Sequence, residues 1–304
     1  MGSARDRCPP HKEAPLLGIA CMLVAAATFV AMDSMAKQLG QSYSPVQLVW
    51  ARYGVHLIVM VVGLLALRRF DRSILISQAP LGQFFRGVLL LGATIFSYLA
   101  VRELPLAQVY VINFSSPVIV TLLAIPLLGE PVNGIRIAAV LAGFSGVFVA
   151  MQPDLVAMNP AMAFPVGMAF CFAMYQLATR YFSHQDSPIT SLLYTAVAGG
   201  LLCSLVVPFS WTPIQVSDML PFVAIGTLGA VGHLALILAM RFASASLVSP
   251  FLYSQLLWAT LSGFLFFNEL PTLNTLAGAF MVIGSGMILL FWGRQDRVKH
   301  GNGE

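Results

Sequence analysis

Asp33, Arg52 and His56 are the residues whose types and spacing could do chemistry. A carboxylate can hold an amine or carry a coupling proton. A guanidinium fork can grip a carboxylate through two parallel hydrogen bonds, and an imidazole can titrate or donate. Asp33 is the only acidic side chain well inside an apolar stretch, the other eleven Asp and Glu falling at stretch ends, loops or tails. Arg52 and His56 are four residues apart and so share one helix face. The three groups together suit a zwitterionic, amino-acid-like ligand. A structural reading stands beside this one: Asp33 lies four residues before Lys37 and could pair with it, or could neutralise Arg52.

A second set is uncharged: Tyr110, Asn113, Ser115 and Ser116 in one apolar stretch, Tyr253, Gln255 and Trp258 in another, and Tyr175, Gln176 and His233 elsewhere. An aromatic wall carrying a few amide or hydroxyl groups is what a small organic ligand needs. The same residue types also join membrane helices by hydrogen bonds or anchor interfaces. Glu130 and Glu269 each stand at a turn just before a proline (Pro131, Pro271), where capping of a helix's first turn is the expected role. The four cysteines, Cys8, Cys21, Cys171 and Cys203, show no CxxC or Cys/His spacing, so neither a metal nor a disulfide is expected. No Walker loop, HExxH or Ser-His-Asp pattern is present in a suitable context, which argues against ATP-driven chemistry and against an enzyme.

The elements that position these residues follow from composition. Of 304 residues, 58% are hydrophobic and 9% charged, with a mean hydropathy of +0.84. Soluble domains carry about 25% charged residues, so the chain is a polytopic membrane protein in contact with the lipid bilayer. Crossing takes roughly 20 apolar residues per helix. Ten spans are predicted, near 16–37, 45–67, 80–101, 106–128, 133–151, 161–180, 188–208, 219–241, 246–267 and 273–292. With the N-terminus inside, 13 of the 16 Lys and Arg fall on the inner side, which places both termini in the cytoplasm. The cations track topology and form no nucleic-acid patch. The first span is long, contains Asp33 and has a counterpart later in the chain, so it is expected to stay rather than be cleaved as a signal peptide.

That counterpart belongs to a repeat. RELPLAQVYVINFSSPVIVTLLAIPLLGE (102–130) aligns without a gap on RFASASLVSPFLYSQLLWATLSGFLFFNE (241–269), and MDSMAKQLGQSYSP (32–45) echoes YQLATRYFSHQDSP (175–188). Asp33 falls on Gln176 and Phe114 on Tyr253. Five spans per copy is an odd number, so the second copy must enter the membrane upside down, with a site expected between the halves near the midplane. The fifth span carries small residues at four-residue spacing (Ala138, Ala142, Gly146) and the tenth span carries Ala277, Gly278, Ala279, Gly284 and Gly286, a packing pattern.

Each half closes on a Glu-Pro-type turn before a Gly-rich last helix: LLGEPVNGIRIAAVLAGFSGVFV (127–149) and FFNELPTLNTLAGAFMVIGSGMIL (266–289). With MDSMAK (32–37) and SPVQLVWAR (44–52), the chain resembles the EamA-type members of the drug/metabolite transporter (DMT) superfamily over nearly its whole length. The resemblance implies an all-α membrane protein of ten transmembrane helices in two inverted five-helix repeats, 16–151 and 161–292, with short cytoplasmic tails at 1–15 and 293–304. It implies a secondary transporter of the bacterial inner membrane, with a cavity lined mainly by spans 1–4 and 6–9. The expected cargo is a small polar or zwitterionic metabolite, with export of amino acids or amino-acid-derived compounds, metallophores included, as the leading reading. Uptake of riboflavin or S-adenosylmethionine is the alternative, and a channel or structural membrane subunit the reading outside transport. No cofactor is expected, a proton being the candidate coupling ion. The expected site comprises Asp33, Arg52, His56, Tyr110, Asn113, Gln176, His233, Tyr253 and Gln255.

Overall fold

Proline opens four of the helices in the computed structural model, which describes residues 14–66, 71–116, 118–120, 123, 134–151, 159–182, 185–243, 248–285 and 287. These are α1 (Pro15–Leu39), α2 (Pro45–Ala66), α3 (Pro80–Glu103) and α7 (Pro188–Val206). At the first helical position the missing N–H has no intrahelical partner to lose and φ is already set. The other helices are α4 (Leu106–Asn113), α5 (Gly134–Met151), α6 (Ala163–Phe182), α8 (Met219–Phe242), α9 (Gln255–Phe267) and α10 (Leu273–Ser285). Six segments, those built on α1, α2, α3, α6, α7 and α8, are long and apolar enough to cross a membrane, and the rest are shorter apolar helices. No strand occurs among the described residues. In lipid this is expected, because a helix satisfies its own backbone polar groups.

The loops meet in two sets. At one end, the α1–α2 turn meets the α7–α8 connection: Tyr43 Oη donates to Asp218 Oδ2 at 2.7 Å and Gln47 Nε2 to the Thr212 carbonyl at 2.7 Å. At the other end, Ser77 Oγ of the α2–α3 connection donates to Asp186 Oδ2 at 2.6 Å, and Ala14 N donates to the Phe242 carbonyl at 3.2 Å. The helices around the centre therefore alternate in direction. Outside, large apolar side chains such as Phe209, Leu273 and Phe280 are exposed, as a lipid-facing surface requires; the polar groups are inside.

Packing respects the repeat. α1 lies mainly on α8, and α3 mainly on α6, which are counterpart pairs when the halves are exchanged. Gly87 of α3 abuts α7 so closely that an added Cβ would stand 2.6 Å from Ala198 Cβ. Its counterpart Gly226 of α8 abuts Val55 of α2, the counterpart of Ala198, in the same manner. The aromatic pairs Phe29–Phe172 (centroids 6.5 Å apart) and Phe114–Tyr253 (5.0 Å) each join a residue to its own repeat partner, so they lie where the halves meet. α5 and α10 pack through small residues as expected: a Cβ on Gly146 would sit 2.7 Å from Met281 Cβ.

Two spans depart from the expected continuous helices. α4 is broken after Asn113 by a turn at Phe114, and helix resumes at Ser115. The segment expected at 246–267 is α-helical at Val248, passes through a 3-10 helix, Ser249–Ser254, carrying Pro250, and is α-helical again from Gln255. Non-α backbone at membrane depth is tolerated where protein covers it or a cavity adjoins it. Asn113 and Gln255 flank both breaks and face one cavity.

Candidate transport cavity

That cavity has a volume of about 40 Å³ and is bounded by α1, α2, α3, α4, α6, α8 and α9. Ligand clefts run roughly 300–1,000 Å³, so in this conformation the cavity is contracted around its lining. Its polar lining is Asp33, Arg52, Thr94, Ser97, Tyr110, Asn113, His233 and Gln255; Phe29, Phe172, Met32 and Met168 supply aromatic and thioether surface. Asp33 and Arg52 are 2% and 1% exposed, so both charged groups are shielded from bulk water in this conformation.

The charged groups are held but not saturated. Tyr110 Oη donates to Asp33 Oδ2 at 2.7 Å and Ser97 Oγ to the same oxygen at 3.2 Å, leaving Oδ1 without a partner. Arg52 Nη1 donates to Thr94 Oγ1 at 2.6 Å and Nη2 to His233 Nε2 at 2.6 Å, while Nε has no acceptor. Asn113 Oδ1 is likewise unpartnered. Buried polar atoms are normally paired, so these open valences mark where a ligand can substitute for water. Behind the lining, Tyr175 packs edge-on to His233 at 5.8 Å and Arg86 stacks over Tyr175 at 5.2 Å.

Of the nine expected residues, six line the cavity: Asp33, Arg52, Tyr110, Asn113, His233 and Gln255. His56, Gln176 and Tyr253 are buried but lie outside its lining. Both His56 ring nitrogens, Gln176 Nε2 and Tyr253 Oη are unpartnered there, and the Tyr253 ring packs edge-on against Phe114. Trp258 turns away and is 45% exposed.

The structural pairings considered for Asp33 are not the ones formed. Asp33 and Arg52 make no ion pair, and Lys37 pairs instead with Glu269 Oε1 at 2.6 Å while donating to the Leu104 carbonyl at 2.9 Å. Glu269 Oε2 accepts from Leu106 N at 3.3 Å, so Glu269 caps the start of α4 rather than the helix that follows it in sequence. Glu130 lies outside the described residues. Arg86, one of the 13 cations expected on the inner side, is fully buried. It donates to Gln83 Oε1 (2.9 Å), Thr179 Oγ1 (3.2 Å), Thr195 Oγ1 (2.7 Å) and the Ser191 carbonyl, tying α3 to α6 and α7.

Thr94, Ser97, Phe29 and Phe172 escape a reading of residue types alone. The repeat register could have found three of them. Phe172 is the counterpart of Phe29, and Thr94 is the counterpart of His233. Arg52 thus bridges two positions that are equivalent by repeat, one on each half.

A profile of the EamA-like transporter family matches the chain twice, over residues 16–152 and 159–291. The chain belongs to the EamA-like transporter family. It is a multi-pass membrane transporter of the DMT superfamily and not an enzyme, and the bacterial relatives of this family sit in the inner membrane. It is 25% identical to a protein named "S-adenosylmethionine uptake transporter" from Rickettsia bellii (strain RML369-C), over 90% of this chain and 94% of that one. It is 27% identical to a protein named "Riboflavin transporter" from Vibrio cholerae, over 92% and 95%. A solved crystal structure superposes with a TM-score of 0.67 at 18% identity, covering 94% of this chain and 99% of that chain, which supports the fold.

Proposed function

We propose that this EamA-like protein is a secondary transporter that takes up a small zwitterionic metabolite bearing an aromatic ring, with S-adenosylmethionine as the leading candidate. One observation carries the reading: a buried acid and a buried guanidinium, each with an unpartnered atom, line the same cavity beside the Phe29–Phe172 pair. An amino-acid zwitterion offers an ammonium to Asp33 Oδ1 and a carboxylate to Arg52, and a purine offers a flat face to the aromatics. Riboflavin is the second reading, favoured by the name of the Vibrio cholerae relative. Its neutral ring system would leave Asp33 without a cationic partner. The word "uptake" in the Rickettsia relative's name supports inward movement over the export expected from sequence.

The transport cycle proposed is alternating access by ten spans in two inverted five-helix repeats, with both termini cytoplasmic. The repeat-related packing of α1 on α8 and α3 on α6 supports it, as do the odd span count per copy and the cation distribution. A small-molecule substrate and the bilayer are the partners this requires. The test is saturable uptake of labelled S-adenosylmethionine into proteoliposomes, with unlabelled riboflavin as competitor, beside a parallel assay of labelled riboflavin uptake. Saturable uptake unaffected by riboflavin supports the reading. Riboflavin uptake with no S-adenosylmethionine uptake would replace it with the second.

A further inference from the structure

Arg52 is held by two neutral acceptors, and this is an unusual way to keep a buried cation. Thr94 Oγ1 takes Nη1, and His233 Nε2 takes Nη2. A guanidinium has donors only, so His233 Nε2 must supply its lone pair. The imidazole is then neutral, with its proton on Nδ1, the nitrogen that faces Tyr175 Oη at 3.5 Å. Thr94 Oγ1 meanwhile passes its own proton to the Leu90 carbonyl at 2.8 Å, which leaves its lone pairs for Arg52. Gly229, one turn before His233 on α8, gives the guanidinium room: a Cβ there would stand 3.0 Å from Arg52 Nε.

An acidic partner in place of His233 would neutralise Arg52 and compete with any incoming anion. Neutral partners fix the direction of the fork and leave its charge unspent. Nε is the guanidinium nitrogen left without a partner. Arg52 is also 1% exposed, so water does not supply the missing acceptor freely.

We propose that His233 is the positioning residue that makes Arg52 a carboxylate receptor, its neutral imidazole holding the guanidinium through Nε2 so that the Nε edge is offered to the substrate's carboxylate. The proposal rests on the transport reading above for its substrate and adds the residue that sets specificity. It also dictates the replacement that works. The Gln side chain carries a carbonyl oxygen at the reach of Nε2, whereas Leu fills the space without an acceptor.

The experiment compares wild type, His233→Gln and His233→Leu in proteoliposomes, using S-adenosylmethionine and its decarboxylated analogue, which keeps the ring, sulfonium and amine. Wild type and His233→Gln should prefer the carboxylate-bearing compound. His233→Leu should raise the KM for S-adenosylmethionine by about 10- to 100-fold, the worth of one hydrogen bond to a charged group. The KM for the decarboxylated analogue should move by less than about threefold. Equal behaviour of Gln and Leu variants, or equal KM increases for both compounds, overturns the proposal. ¹⁵N spectra of histidine-labelled protein provide a readout that needs no substrate. The signal missing from His233→Gln must be that of a neutral imidazole with unprotonated Nε2, and an imidazolium or an Nε2–H form overturns the proposal. If wild type moves neither compound, the substrate reading fails, while the spectra still decide the clamp.

Discussion

Asp33→Asn removes one charge and almost nothing else, which makes it the sharpest perturbation of the cavity. The amide keeps an oxygen to accept from Tyr110 Oη and Ser97 Oγ, now 2.7 and 3.2 Å from Oδ2. Those two bonds hold α1 to α4 and α3, so folding should change by no more than about 1 kcal/mol. The open Oδ1 is different. Its replacement by an NH₂ group sets a donor against the donors of a substrate ammonium. Losing one charge-assisted bond costs about 1.5–3 kcal/mol, or roughly 10- to 150-fold in affinity. The assay is KM for S-adenosylmethionine in proteoliposomes, with thermal unfolding of the detergent-purified protein as the control. Asp33→Leu gives the contrast, since it orphans Tyr110 Oη and Ser97 Oγ at about 1–3 kcal/mol each and should lower Tm visibly. An Asn variant with wild-type KM would refute the assignment of Asp33 as cation receptor. A lowered Tm with unchanged KM would make Asp33 a structural hub instead.

Three further outcomes follow from the geometry. Arg52→Lys keeps the charge, but a single ammonium cannot span Thr94 and His233 as the fork does, so KM for S-adenosylmethionine should rise at least about tenfold in the same assay. Lys37→Met and Glu269→Gln should each destabilise the fold, and the double variant should lose less than the sum, because the two groups are each other's partner at 2.6 Å; additive losses in thermal unfolding would show that the pair contributes nothing. Gly87→Ala places a Cβ 2.6 Å from Ala198 Cβ between α3 and α7, and overpacking of that kind costs about 1–3 kcal/mol. An unchanged Tm would show that the interface yields freely.

The helices were legible because apolar runs of membrane length, punctuated by proline, leave little choice of element. One interruption was written in the same residue type. Pro250 lies in the 3-10 stretch just ahead of Gln255, yet hydropathy windows average across a single proline. Asp33 and Arg52 stood out because a charge inside a span is expensive. The facing of uncharged residues was not legible. In a helix apolar all round, nothing in the pattern tells that Gln255 turns inward while Trp258, three residues on, meets lipid. The long-range pairs were equally hidden. Lys37 finds Glu269, 232 positions away, over Asp33 on its own helix, because the α9–α10 turn delivers the carboxylate to the end of α1. Arg86 looked like a topology marker because a cation near a span end normally is one. Four uncharged acceptors on three helices let it stay inside.

Symmetry explains where the polar residues had to be. A duplicated bundle buries equivalent residues at its own axis, as Phe29–Phe172 and Phe114–Tyr253 do. A ligand with distinct ends cannot be read by two identical halves, so recognition needs positions where the copies diverge. Asp33 against Gln176 is one such position, and Arg52 against Thr195 is another. The divergence is asymmetric in a useful way. Both charged members come from the first half, while one anchor of Arg52, His233, comes from the second and the other, Thr94, is its counterpart in the first. Arg52 is therefore tied to both halves at once. If the halves rock against each other during transport, the 2.6 Å bonds to Thr94 and His233 cannot both persist unchanged. Occupancy of the Arg52 edge and the relative position of the halves are then linked, because whichever bond is released must be replaced by the cargo or left unmade at a cost of about 1–3 kcal/mol.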